Sequence, residues 1–97
     1  MKGKWMKGKT KSGIVFELDE RIKDDTRLTM LLVRMQKVKE PMEASAAMYD
    51  LLNLIFGSEE NTFAFMNEVA EKHDGVCSTD VMLAELTEML EAINAKN

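Results

Sequence analysis

Cysteine occurs once in the 97 residues, proline once and glycine five times. One cysteine cannot close an internal disulfide, so the chain is expected in a reducing cytosol. So few turn-forming residues disfavour a many-stranded sandwich and favour long helices. No apolar run approaches the roughly 20 residues of a membrane helix; one of the longer, Leu51-Leu52 and Leu54-Ile55-Phe56, is split by Asn53. The amino end is basic, but no uninterrupted apolar stretch of about 7–15 residues follows it, so no secretory signal is read there. Metal ligands are scarce as well. A structural zinc site takes about four ligands, and the chain has one histidine and one cysteine, His73 and Cys77, across a turn at Gly75. Such a site would need ligands from a second copy. The simpler reading has His73 ending a helix and Cys77 packing as a small hydrophobe. Nothing around these two marks an oxyanion hole or a pocket, and Asp24-Asp25 and Glu59-Glu60 sit where helix starts favour carboxylates. No enzyme, cofactor or metal is expected.

What the chain does hold is 45% hydrophobic and 31% charged residues, the make-up of one folded domain spanning 1–97. The charge is lopsided. Residues 1–39 carry 11 Lys/Arg against five Asp/Glu, net +6, and residues 40–97 carry two against 12, net −10. Such a dipolar chain suits head-to-tail stacking with copies of itself or an acidic partner for its basic end; the plainer reading is a solvated basic tail and acid-coated helices.

Lys4 to Leu18 reads as a short β-hairpin. Ile14, Phe16 and Leu18 alternate with Val15 and Glu17 at the two-residue period of a strand, and Trp5 is expected to pack on the apolar face. Residues 1–9 form a basic, flexible start, 10–20 the hairpin strand and 24–95 a helical bundle. The first helix is expected over about Asp25 to Lys39, with Leu28, Leu31, Leu32, Met35 and Val38 inward. Pro41 breaks it and opens a second helix over Met42 to Phe56, with Gly57 as its left-handed stop. Ser58 caps a third helix to His73, with Phe63, Met66, Val69 and Ala70 inward and Phe65 to one side. Ser78 or Thr79 caps the last, with Met82, Leu86, Met89, Leu90 and Ile93 on one stripe and Glu85, Glu88 and Glu91 on the other. Asn94 to Asn97 fray. The fold expected is mainly α: a compact bundle of about four helices after a short amino-terminal hairpin.

Gly3-Lys4-Trp5-Met6-Lys7-Gly8-Lys9-Thr10 satisfies the phosphate-loop pattern letter for letter. That loop needs a buried strand before it and a helix after it. Only two residues precede Gly3, and strand follows, so Gly3, Gly8, Lys9 and Thr10 are read as a chance match. Lys2, Lys4, Lys7, Lys9 and Lys11 around Trp5 suit single-stranded nucleic acid, but the pI of about 5.0 and the acidic remainder oppose it. Helix two is apolar nearly all round: Met48, Leu51, Leu52 and Ile55 make a stripe, and Tyr49, Leu54 and Phe56 widen it. It is either central in the core or covered by a partner. Nine methionines suit surfaces that re-pack against varied apolar partners.

The order Thr10-Lys11-Ser12-Gly13-Ile14-Val15-Phe16-Glu17-Leu18-Asp19-Glu20, then Asp24-Asp25 opening a helix, resembles the amino half of the small tail assembly chaperones of long-tailed bacteriophages and their prophages. Leu51 to Glu60, Asp74-Gly75-Val76 and the Glu/Leu run from Glu85 to Ala92 are similar to that family's middle and end. The resemblance implies a non-enzymatic protein of the infected or lysogenic bacterium's cytoplasm, absent from the finished virion. It would coat the apolar tape measure protein before the tail tube closes, with tail tube subunits and a frameshifted long form as further partners and self-association expected. Reversible binding of apolar helices asks for an adaptable groove and many weak contacts. Met48, Leu51, Leu52, Leu54, Ile55 and Phe56, with Phe63 and Phe65, are the residues expected to form or border it. The competing readings are a small phage regulator that touches nucleic acid through the basic start, and a homo-oligomeric structural adaptor.

Overall fold

The computed structural model describes residues 5–95, with backbone alone at Ala95. Strands β1 (Trp5–Lys9) and β2 (Val15–Asp19) form an antiparallel hairpin. A one-turn 3-10 helix, Glu20–Asp24, leads into α1 (Thr26–Lys37), α2 (Pro41–Phe56), α3 (Glu59–Lys72) and α4 (Thr79–Ala95). The mainly helical bundle preceded by a short hairpin is the architecture expected.

The local chemistry of each boundary is visible. Asp25 accepts from the Arg27 N–H at 2.8 Å and caps α1. Helix α1 stops two residues short of Lys39, because Val38 and Glu40 are extended ahead of Pro41. Proline takes the first turn of α2, and Gly57 closes that helix at φ 84°. Ser58 Oγ accepts from Asn61 N–H and Ser78 Oγ from Val81 N–H, capping α3 and α4. His73 is the C-cap of α3, and Asp74 and Gly75, both at positive φ, turn the chain into the loop before α4. The 3-10 helix, which the sequence reading lacked, starts where Asp19 accepts from the Arg21 N–H. Fraying was expected from Asn94, but α4 runs through Ala95; Lys96 and Asn97 lie outside the described residues, as do Gly3, Lys2 and Lys4.

The hairpin lies on the helices, with β1 against α4 and β2 against α2. Its inner face is Met6, Ile14, Phe16 and Leu18, all buried. The expected place of Trp5 is corrected: the register pairs Met6 with Leu18 and Trp5 with Asp19, so alternation turns Met6 inward and the indole outward. Phe16 lies over Gly8, where a Cβ would come within 2.5 Å of the ring. Residues 5–9 of the basic start are therefore a packed strand.

Helix α2 is the centre of the bundle, in contact with α1, α3 and β2. Two registers differ from expectation. Helix α3 buries Thr62, Phe65 and Val69, leaving Phe63 outside. Helix α4 buries Glu85, only 2% exposed, beside Met82, Leu86, Met89 and Ile93. Three- and four-residue steps from Met82 reach Glu85, Leu86 and Met89 alike, so helix geometry overrides the polarity of the side chain. No helix among the described residues is long and apolar enough to cross a membrane.

Candidate protein-docking site

Three adjoining depressions cross one face of the molecule. The first, about 750 Å³, lies between α1 and α2 and is lined by Met30 and Leu31 from one helix and Asn53 and Leu54 from the other. It shares Arg27, Leu54 and Gly57 with the second, about 420 Å³, which passes over Ile22 and Phe56 to Trp5. Trp5 and Phe56 lead into the third, about 330 Å³, between the hairpin and α3, with Val15, Phe16, Glu17, Ala64, Phe65 and Glu68. Met30 is 60% and Trp5 69% exposed, so one end of this track and the junction of its last two depressions carry large uncovered apolar side chains. Aromatic contact between Phe56 and Phe65, 5.0 Å between centroids, fixes the floor where the last two depressions meet.

The charges beside the first two depressions are internally paired. Arg27 bonds Asp25 at 2.7 Å, Arg21 bonds Asp19 at 2.6 Å and Arg34 bonds Asp50 at 2.8 Å. The Arg21 guanidinium holds the Asp19 carboxyl below the usual carboxylate range, and Arg27 does the same for Asp25. The third depression differs: Glu17 and Glu68 line it with no basic residue among its lining. Among the described residues neither carboxylate makes an ion pair, although Lys7 stands opposite Glu17 across the strands.

The expected partner face is corrected in part. Met48, Leu51 and Leu52 are buried in the core and line none of the depressions, because α1, α3 and β2 cover three sides of α2. Ile55 and Phe65 are buried too, but border the track as lining of the second and third depressions. Leu54 and Phe56 are half-buried and line the track. Phe63 is 53% exposed, but it packs edge-on against Tyr49, with centroids 5.9 Å apart, away from the three depressions. The sequence reading missed Met30, Leu31 and Trp5 as lining residues. Met30 carried a signal, as a large apolar residue outside the inward pattern of its helix; Trp5, expected on the inner face, is turned outward only by the strand register.

Gly8 and Lys9 lie in β1, and Thr10 in the turn, where its Oγ1 accepts from the Ile14 N–H at 3.3 Å. Strand, not helix, follows them. On the outer face of the hairpin Glu17 faces Lys7 and Asp19 faces Trp5, so carboxylates interleave with the lysines that a nucleic-acid strand would need.

A polar cluster ties the hairpin turn to the bundle. Ser12 Oγ donates to Glu85 Oε2 at 2.8 Å and lies 3.2 Å from His73 Nε2, which is itself 3.5 Å from the same carboxylate oxygen. The Lys11 N–H donates to Glu88 Oε1 at 2.7 Å. The serine proton is committed to the carboxylate, and both partners meet the same imidazole nitrogen. A serine–histidine–acid relay requires the serine proton to face one nitrogen and the acid the other. Cys77 is half-buried, with its Sγ 3.7 Å from Met82 Sδ; burial, then the Glu85 charge, pushes its thiol up. No group of three or more His, Cys, Asp or Glu among the described residues is placed to hold a metal ion. No protein-family model, curated protein or solved structure matches this chain, so its function is argued from this site and the sequence pattern.

Proposed function

We propose that this chain is a non-enzymatic tail assembly chaperone that holds apolar helical segments of a tape measure protein in the track from Met30 to Trp5. In this reading it acts in the host bacterial cytoplasm, is displaced as tail tube subunits close around the tape measure, and is absent from the finished virion. A frameshifted long form and further copies of the chain are its other partners. The observation that carries the reading is the continuous track, most apolar between α1 and α2: Met30, Leu31, Leu54 and Phe56 line connected depressions that no segment of the described chain fills. An amphipathic helix laid in a groove buries its apolar side chains on such a surface, and methionine at the groove edge adapts to varied sequences.

Co-expression with the tape measure protein of the same genome tests it. Burial of one Leu or Met contributes about 1.5–3 kcal/mol, so Leu54→Asp and Met30→Asp are each expected to lower capture by about tenfold or more. Met42→Asp, at a site 86% exposed and off the track, is expected to leave capture unchanged. Undiminished capture by folded Leu54→Asp and Met30→Asp would remove the proposal. Phe65→Asp is no test, because that side chain is in the core.

A further inference from the structure

Resting on that docking reading, we infer that the third depression is a subsite for one cationic side chain, so the bound segment is an apolar helix with an arginine or lysine at the end that lies over the hairpin. Two independent features converge there. The walls are apolar and aromatic, with Val15, Phe16, Phe56 and the exposed ring of Trp5, a lining that takes the aliphatic stem of a long basic residue and offers an indole face to its charge. The only charges in the lining are the carboxylates of Glu17 and Glu68, one from β2 and one from α3, and both are without an ion pair among the described residues. In the first two depressions each charged side chain is already matched, Arg27 with Asp25, Arg21 with Asp19, and Asp50 with Arg34. Within the lining, charge is thus neutral over the part that takes apolar side chains and negative at one end, with Lys7 opposite Glu17 across the strands but outside the lining. That asymmetry gives a bound segment a direction, since reversing it would set an apolar end against two carboxylates and a cation against paired groups.

The chain has one tryptophan, Trp5, so its emission reports binding where the second and third depressions meet. Amphipathic peptides of about 16 residues, long enough to form a helix, are titrated against the whole protein. One has arginine at the amino end of its leucine/methionine stripe, one at the carboxyl end, and one norleucine at both. One of the two arginine peptides is expected to bind about five- to tenfold more tightly than the norleucine peptide at moderate salt, the combined worth of a cation–π contact and partly exposed ion pairs. Glu17→Gln/Glu68→Gln, both on exposed residues, is expected to abolish that gain, so that the arginine and norleucine peptides bind the variant alike. Equal binding of all three peptides to the native chain, or a gain that survives in the double variant, overturns the subsite while leaving the docking track standing. Failure of every peptide to bind overturns both.

Discussion

Glu85 shows how a single side chain departs from its sequence surroundings. Its carboxylate is taken out of water with a serine hydroxyl and an imidazole on one oxygen, and its other oxygen, Oε1, has no protein partner. A buried carboxylate with one lost donor costs about 1–3 kcal/mol, so Ser12→Ala is expected to lower unfolding free energy by that amount in urea titration. Glu85→Met, similar in volume and free of charge, is expected to cost less than Ser12→Ala or to stabilise; the opposite ranking would show that Ser12 is not what keeps the carboxylate in place. Thr62 is the simpler case: fully buried, with Oγ1 unpartnered. Thr62→Val keeps the shape and is expected to raise stability by about 1 kcal/mol. The capping aspartates contribute to the acid limb. Asp19 and Asp25 have lowered folded-state pKa values, through the hydrogen bonds from Arg21 and Arg27. Their contribution is fully present above the ordinary carboxylate pKa and is lost as pH falls through the lowered folded values. The urea midpoint should therefore be level near neutrality and fall below about pH 4, and less steeply in Asp25→Asn, which keeps the cap oxygen but cannot titrate.

Among the elements, the hairpin depends on one close approach. Gly8 lets the Phe16 ring lie flat on β1, and a methyl there would sit 2.5 Å from the ring carbon Cζ. Because Phe16 is packed in the core cluster, the ring can give way only toward the third depression, which it lines. Gly8→Ala is expected to lose about 1–3 kcal/mol, seen as a lower melting temperature with unchanged helix content. Hairpin and helix boundaries were legible in the sequence because each depends on neighbours within a few residues: strand alternation at Ile14, Phe16 and Leu18, the caps at Asp25, Ser58 and Ser78, Pro41 and Gly57. The inward faces were less legible. Phe63 and Phe65 both fit an apolar pattern on α3, and what selects Phe65 is its contact with Phe56, an element away. Leu54 and Phe56 announced surplus apolar area on α2. Their partners in the track, Met30 and Trp5, lie in other elements, so the surface exists only once α1, α2 and the hairpin are brought together.

At the scale of the molecule, the hairpin is a structural part of the bundle. A two-stranded hairpin is marginal in water by itself, and this one holds its shape by burying Met6, Ile14, Phe16 and Leu18 in the cluster that also contains Leu51, Leu52, Met82, Leu86 and Met89. The dependence runs both ways, since α2 and α4 lose the cover that β2 and β1 provide yet keep the full cost of ordering their own backbones. A domain of this size buries a smaller fraction of its surface than a larger one and has little stability in reserve. A chain starting at Glu20 is therefore expected to retain much of its far-ultraviolet helical signal while losing a cooperative urea transition and binding a hydrophobic dye, the signs of a collapsed but unpacked state. The same truncation removes Trp5 and Val15 from the track, so capture of an apolar partner by it would be unselective and would persist in Leu54→Asp. A truncated chain that unfolds with the midpoint and slope of the whole protein would instead make the hairpin an appendage. The Ser12–Glu85 and Lys11–Glu88 bonds would then tether an arm to a bundle that is complete without it.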